Sequence, residues 1–198
     1  MRLIDRILQR WRAGKARPFI PDGARVLDIG CHRGEFLISL GDRIGPSVGF
    51  DPLARDTSDA RHRFIPEFFH RPSPFDDESF DAVVMLATLE HIPNKKRLAK
   101  ELFRLLTPGG RVIITVPARA VDHIVEWLCW LGLADGMSLE EHHGFDPLTT
   151  PDVFHRIGFI LERHRRFQLG LNHLFVLRKD EKARHRRRPA LVRSGVGA

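Results

Sequence analysis

One stretch constrains the fold more than any other: residues 26–36, which read Val-Leu-Asp-Ile-Gly-Cys-His-Arg-Gly-Glu-Phe. Its apolar start has the pattern of a strand buried on both faces. The Gly-Cys-x-x-Gly that follows predicts a tight turn feeding a helix through Phe36, Leu37 and Leu40. Strand, glycine turn and helix make half of a βαβ unit, and in open α/β sheets ligands bind at the carboxyl ends of such strands. The candidate site is therefore expected here. A dinucleotide site would set G-x-G-x-x-G at this place, with backbone N–H groups and a helix N-terminus facing a pyrophosphate. The carboxylate of Asp28 would oppose that anion, so it points instead to a cationic ligand.

S-adenosylmethionine carries a sulfonium and an ammonium group, and an acid beside a glycine turn suits both. Residues 26–36 resemble the first motif of the class I S-adenosylmethionine-dependent methyltransferases, usually Val-Leu-Asp-x-Gly-Cys-Gly-x-Gly, with His32 standing for the middle glycine. The resemblance implies an α/β fold: a Rossmann-like, seven-stranded, mostly parallel sheet with helices on both faces and an antiparallel last strand. It also implies S-adenosyl-L-methionine as cofactor, with Asp28, Gly30, Cys31, His32 and Gly34 around it.

Further motifs follow in the family's order. Residues 47–52, Ser-Val-Gly-Phe-Asp-Pro, read as a second strand ending in an acid, and a carboxylate there is placed to accept from ribose hydroxyls. Asp51 and Pro52 match the family's second motif. Residues 53–62 are short and polar, so the second helix is expected to be truncated before a third strand at Arg63, Phe64 and Ile65. Counting back from Pro74 and Phe75 puts Phe69 where the family often carries an Asp that reads the adenine amino group. Phe68 or Phe69 packs there on the adenine face or else in the core.

Residues 74–81, Pro-Phe-Asp-Asp-Glu-Ser-Phe-Asp, resemble the family's Pro-Phe-x-Asp-x-Ser-Phe-Asp run and lead into a buried apolar strand. Its carboxyl end at Leu86 and Ala87 is expected beside the methionine part of the cofactor. Leu89-Glu90-His91 matches the Leu-x-His of many small-molecule methyltransferases. Asn94 predicts a helix cap, Leu98, Leu102, Leu105 and Leu106 form one apolar stripe, and Thr107-Pro108-Gly109-Gly110 ends the helix before a fifth strand at 111–117. Thr150 is expected to cap a further helix with Pro151 at its first position. Residues 159–167 and 174–177 read as the last two strands, joined by a hairpin through Gly170 and Asn172.

A chain of 198 residues suits one domain that buries roughly 70% of its unfolded surface. Cys31 and Cys129 cannot build a disulfide framework, and a reducing compartment fits a cysteine inside the cofactor turn. No run is long and apolar enough to span a bilayer, and the N-terminus lacks a signal peptide's pattern, so a cytoplasmic location is expected. The net charge of +7 resides at the ends: residues 1–17 hold six Lys/Arg against Asp5, and residues 178–198 hold eight against Asp180 and Glu181. The body between them carries −4, a poor match to a nucleic-acid groove. The Asn/Asp-Pro-Pro-Tyr type motif of base-modifying members is also absent after Met85, so nucleic acid is not the expected partner.

The expected domain plan has three parts. Residues 1–20 form an amphipathic basic helix, packed on the domain as a flap over the cofactor, resting on an anionic membrane surface or meeting a partner protein. Residues 21–178 form the methyltransferase domain, with a helical, lid-like insertion at 119–148, and residues 179–198 form a disordered basic tail, either simply solvated or drawn to an anionic membrane or RNA. The expected activity is methyl transfer to a small-molecule or lipid-linked acceptor; the rivals are a binding or scaffold protein that keeps the fold, and a nucleic-acid methyltransferase. An oxygen or nitrogen acceptor would profit from a histidine base, and His91, His142 and His143 are the candidates. The paired histidines lack a third ligand at metal spacing, and no metal is expected.

Overall fold

The computed structural model describes residues 3–54, 57–58, 61–70, 72–118 and 146–182. Strands β1 (Val26–Ile29), β2 (Ser47–Phe50), β3 (Thr57–Ser58), β4 (His62–Ile65), β5 (Phe80–Leu86), β6 (Leu106–Pro117), β7 (Phe159–Phe167) and β8 (Asn172–Lys179) form one sheet. Their order is β3-β4-β2-β1-β5-β6-β8-β7. From β4 to β6 all neighbours are parallel, while β8 runs antiparallel to both β6 and β7. This is the expected seven-stranded sheet with its reversed last strand, extended at the β4 edge by the two-residue antiparallel β3.

Period-two alternation divides the strand residues between two cores. Leu27, Val83, Met85, Ile114 and Phe175 pack on one face with Leu98, Leu102 and Leu105 of α3 (Lys95–Leu105). Val26, Val84, Ile113 and Val176 pack on the other with Phe36, Leu37 and Leu40 of α2 (Glu35–Leu40). Both faces are apolar, which is why these strands read as continuous hydrophobic runs. The helix α1 (Leu3–Ala16) ends in the second core, where Ala16 and Ile20 are buried.

At the amino edge of the sheet, Arg25 forks onto Asp81, with Nε donating to Oδ2 and Nη2 to Oδ1, both at 3.0 Å. Thr107 Oγ1 donates to the same carboxylate at 3.2 Å. The Pro-Phe-x-Asp-x-Ser-Phe-Asp run is thus a fastening: Asp77 and the Phe75 carbonyl both accept from Arg104 Nη1 of α3 at 2.8 Å.

Several boundaries differ from expectation, each for a local reason. β6 begins at Leu106 and not at Arg111, because the Pro-Gly-Gly segment is absorbed as a bulge opposite β5: Phe80 pairs with Leu106, and Ala82 already with Arg111. Asn94 does cap α3, its side chain accepting from the Arg97 N–H at 2.9 Å. Thr150, expected as a cap, lies inside α4 (Thr150–His155), because a 3₁₀ turn capped by Asp146 precedes it. Asn172 opens β8 and pairs with Pro117, so the hairpin turn is residues 168–171.

Lys179 belongs to β8 and not to a solvated tail. It is only 4% exposed, with Nζ donating to the Leu106 carbonyl at 2.6 Å and lying 4.8 Å from the Phe103 ring centroid. Lys179→Met is expected to lower unfolding free energy by about 1–3 kcal/mol in urea melts, since it strands a buried carbonyl. The exposed Lys182→Met is expected to change it by less than about 0.5 kcal/mol.

Candidate functional site

The strand order reverses at β1, with β2 on one side and β5 on the other, which leaves a crevice above their carboxyl ends. The chain leaves β1 through a turn with three left-handed residues: Gly30 at φ 82°, His32 at 53° and Gly34 at 83°. A Cβ on Gly30 would collide with the Thr88 side chain, and one on Gly34 with the Phe64 ring. These two positions need glycine for space as well as for φ. His32 adopts the same backbone region with a side chain, at a cost of about 1–2 kcal/mol.

The carboxylate of Asp51 holds that conformation in place. Its Oδ2 accepts from the His32 N–H at 2.9 Å, and its Oδ1 from the Leu53 N–H at 2.8 Å. One side chain therefore ties the turn after β1 to the turn after β2. The His32 ring lies against Glu35, Nδ1 to Oε1 at 2.9 Å, and Glu35 Oε2 accepts from the Arg33 N–H at 3.1 Å. Burial pushes the Glu35 carboxyl up, but its backbone bonds and the His32 contact outweigh this and hold it below the ordinary value.

Asp28, the penultimate residue of β1, is 1% exposed, and its Oδ2 has no hydrogen-bond partner. Burial, reinforced by the charges of Asp51 and Glu35, raises its pKa to about 8. A buried carboxyl without a partner is costly as an anion, and the cost falls when a cation arrives. Burial and the charges of Asp28 and Asp51 likewise push the Cys31 thiol far up, so it stays protonated and is no nucleophile.

Above these residues lies a cavity of about 600 Å³. Asp28, Gly30, Cys31, His32 and Leu86 form its floor. Its opposite wall is α1, which contributes Arg6, Gln9, Arg10, Arg12 and Ala13. The helix is fastened there by Gln168 of the β7–β8 turn, whose Nε2 donates to the Leu8 carbonyl at 3.2 Å. Gln168 and Leu169 are both left-handed, at φ 51° and 56°, and this aims the Gln168 side chain inward.

The structure thus brings Asp28, Gly30, Cys31, His32 and Leu86 around one hollow, with Gly34 and Asp51 supporting the turn from outside its lining. Pro52, Phe69 and Ala87 do not line it. Phe69 packs edge-on against Phe50, ring centroids 5.4 Å apart, whereas Phe68 is 73% exposed. His91 is exposed in a short helix outside the lining. His142 and His143 lie outside the described residues, as does most of the expected insertion.

Sequence reasoning missed two groups. The arginine wall was hidden because helical spacing shows a basic face without showing what it faces. The other is His164 and His173 on adjacent strands, Nε2 to Nδ1 at 2.9 Å, both held below the ordinary histidine value chiefly by burial. Nine residues apart in the chain, they form no local motif. Among the described residues no group of three or more His, Cys, Asp or Glu could hold a metal ion, and no helix is long and apolar enough to cross a membrane.

The Asp28 carboxyl, with an orphaned buried oxygen and a place in the lining of a hollow beside a left-handed glycine turn, fits the cationic amino-acid end of S-adenosylmethionine. Residues 2–164 match a family model described as a methyltransferase domain. The mitochondrial ubiquinone biosynthesis O-methyltransferase of Rattus norvegicus is 34% identical over 148 residues, which cover 68% of this chain and 43% of that protein. The demethylmenaquinone methyltransferase of Lactococcus lactis is 26% identical over 173 residues, covering 73% and 69% respectively. The chain spans about half the length of several curated relatives it matches. An S-adenosylmethionine-dependent methyltransferase structure from Mesorhizobium loti superimposes with a TM-score of 0.65 at 18% identity, covering 84% of this chain and 96% of that one.

Two outcomes follow from the geometry. Gly34→Ala is expected to cost about 2–4 kcal/mol in denaturant melts, combining left-handed strain with overpacking against Phe64. The raised Asp28 pKa means that the native state keeps a proton which the unfolded chain releases from about pH 4 upward. Ligand-free stability should therefore be fully present below that range and fall toward about pH 8, by up to about 1.4 kcal/mol per pH unit from this group. Asp28→Asn should flatten that slope in urea melts between about pH 5 and pH 7, and parallel profiles for the two proteins would contradict the assignment.

Proposed function

The chain belongs to the methyltransferase-domain family, and from that premise we propose that it transfers the methyl group of S-adenosylmethionine to a small-molecule acceptor. The observation that carries this reading is the Asp28 carboxyl, which belongs to the cavity lining near a strand tip and has a buried oxygen without a partner. Its ionised form neutralises the positive amino-acid end of the donor. Asp51 uses one lone pair of each oxygen on the His32 and Leu53 N–H groups, which leaves others for the ribose hydroxyls. Leu86 supplies an apolar wall.

When bound, the donor supplies a carbon already activated by its sulfonium. The protein's task is then positioning: an acceptor held about 3–3.5 Å from that carbon gains several kcal/mol from saved entropy. For an oxygen or nitrogen acceptor the proposed bases remain His91, His142 and His143; of these, His91 is exposed outside the cavity lining.

Relatives named for demethylmenaquinone and ubiquinone methylation support an acceptor with an apolar tail. Ile7 and Trp11, one helical turn apart on α1 and 53% and 45% exposed, support contact with such a tail or with the membrane surface that carries it.

The test is calorimetry with S-adenosylmethionine near pH 7 in buffers of differing ionisation enthalpy. Because free Asp28 is largely protonated there and the bound donor favours its anion, binding should release close to one proton per site. Asp28→Asn should abolish the proton release, and Asp51→Ala should weaken binding by at least about tenfold. A wild-type chain that does not bind the donor would instead be a binding or scaffold protein on a methyltransferase fold.

A further inference from the structure

The wall that α1 gives the cavity carries more positive charge than the donor can match. Arg6 and Arg10 stand four residues apart, so they share a helix face with Gln9 and Ala13, and all of these line the cavity. Arg12 and Arg33 line it as well. The acidic residues of the lining are Asp28 and Glu35, and both Glu35 oxygens are engaged by His32 and the Arg33 N–H. Among the described residues neither Arg6 nor Arg10 forms an ion pair.

A donor with two positive groups and one carboxylate adds net positive charge to this space. Like charges gathered in one hollow repel unless an anion lies among them. The donor's single carboxylate balances one guanidinium, for which Arg33 in the glycine turn already suffices. Arg6 and Arg10 are left facing the rest of the hollow, where the acceptor must lie.

We propose that the acceptor is an anion, and that Arg6 and Arg10 grip its carboxylate or phosphate while the atom to be methylated faces the cavity floor. This rests on the methyl-transfer reading above and names the substrate class within it. Planar guanidinium groups with fixed N–H forks suit either oxyanion and bind it two-pronged. A neutral acceptor would leave both arginines uncompensated beside a cationic donor. The basic end of the chain is thereby part of the site, and α1 sets specificity as well as closing the hollow.

The test uses the full chain saturated with S-adenosylhomocysteine, titrated separately with inorganic pyrophosphate and with benzoate and read by calorimetry. At least one anion should bind, and which one does distinguishes a phosphate-bearing from a carboxylate-bearing acceptor. The double variant Arg6→Gln/Arg10→Gln should weaken that binding by at least about tenfold, while S-adenosylmethionine binds at least as tightly as to the wild type and Lys15→Gln, off the lining, changes neither. Both arginines are exposed, so the variant should keep the wild-type melting profile. Equal anion affinity in variant and wild type overturns the proposal, as does failure of both anions to bind. Binding confined to a single-stranded RNA oligonucleotide overturns it in favour of a nucleic-acid acceptor. Loss of S-adenosylmethionine binding in the variant overturns it too, assigning the arginines to the donor carboxylate and leaving methyl transfer intact. A wild-type chain that binds no S-adenosylmethionine refutes the methyl-transfer reading itself, whatever the anions do.

Discussion

The site depends on one side chain that accepts two backbone hydrogen bonds. Asp51 takes the N–H of His32 from the turn after β1 and the N–H of Leu53 from the turn after β2, so two loops that are distant in sequence move as one. Without that tie, a non-glycine residue in the left-handed region would relax toward an ordinary backbone conformation, and the cavity floor would lose its shape. The same carboxylate adds to the field that keeps Asp28 protonated. Geometry and protonation at the floor therefore have a common origin.

Much of the fold was legible because the sheet is buried on both sides. Continuous apolar runs marked β1, β5 and β6, and the Asp-x-Gly turn marked the switch point. What was misread was set by tertiary pairing. The Pro-Gly-Gly after α3 looks like a helix stop, yet the backbone there joins the sheet through a bulge because β5 offers a partner. Lys179 looks like the first residue of a charged tail, yet the Leu106 carbonyl and the Phe103 ring receive it inside. Neither partner is near in sequence.

The candidate site shows the same division. Asp28, Asp51, Gly30 and Gly34 sit at local motifs, and their spacing alone places them at strand tips. The amphipathic character of α1 is equally visible, and packing on the domain was one of its expected roles. Which of its faces meets the cavity depends on Gln168, a residue 160 positions away from Leu8. The inference that a mildly acidic body keeps basic surface away from the chemistry also gives way, because the chain's positive N-terminal helix is folded back over the acidic floor.

The attachment of α1 is unequal along its length. Its carboxyl end is embedded through Ala16 and Ile20, whereas farther along it is held by the bond from the hairpin side chain to Leu8. A rod anchored at one end and latched at its middle swings about the anchor when the latch lets go. Entry and exit of molecules would then be paced by the hairpin, at one edge of the sheet whose central strands hold the floor, and throughput would be adjustable at a position that touches no reactant.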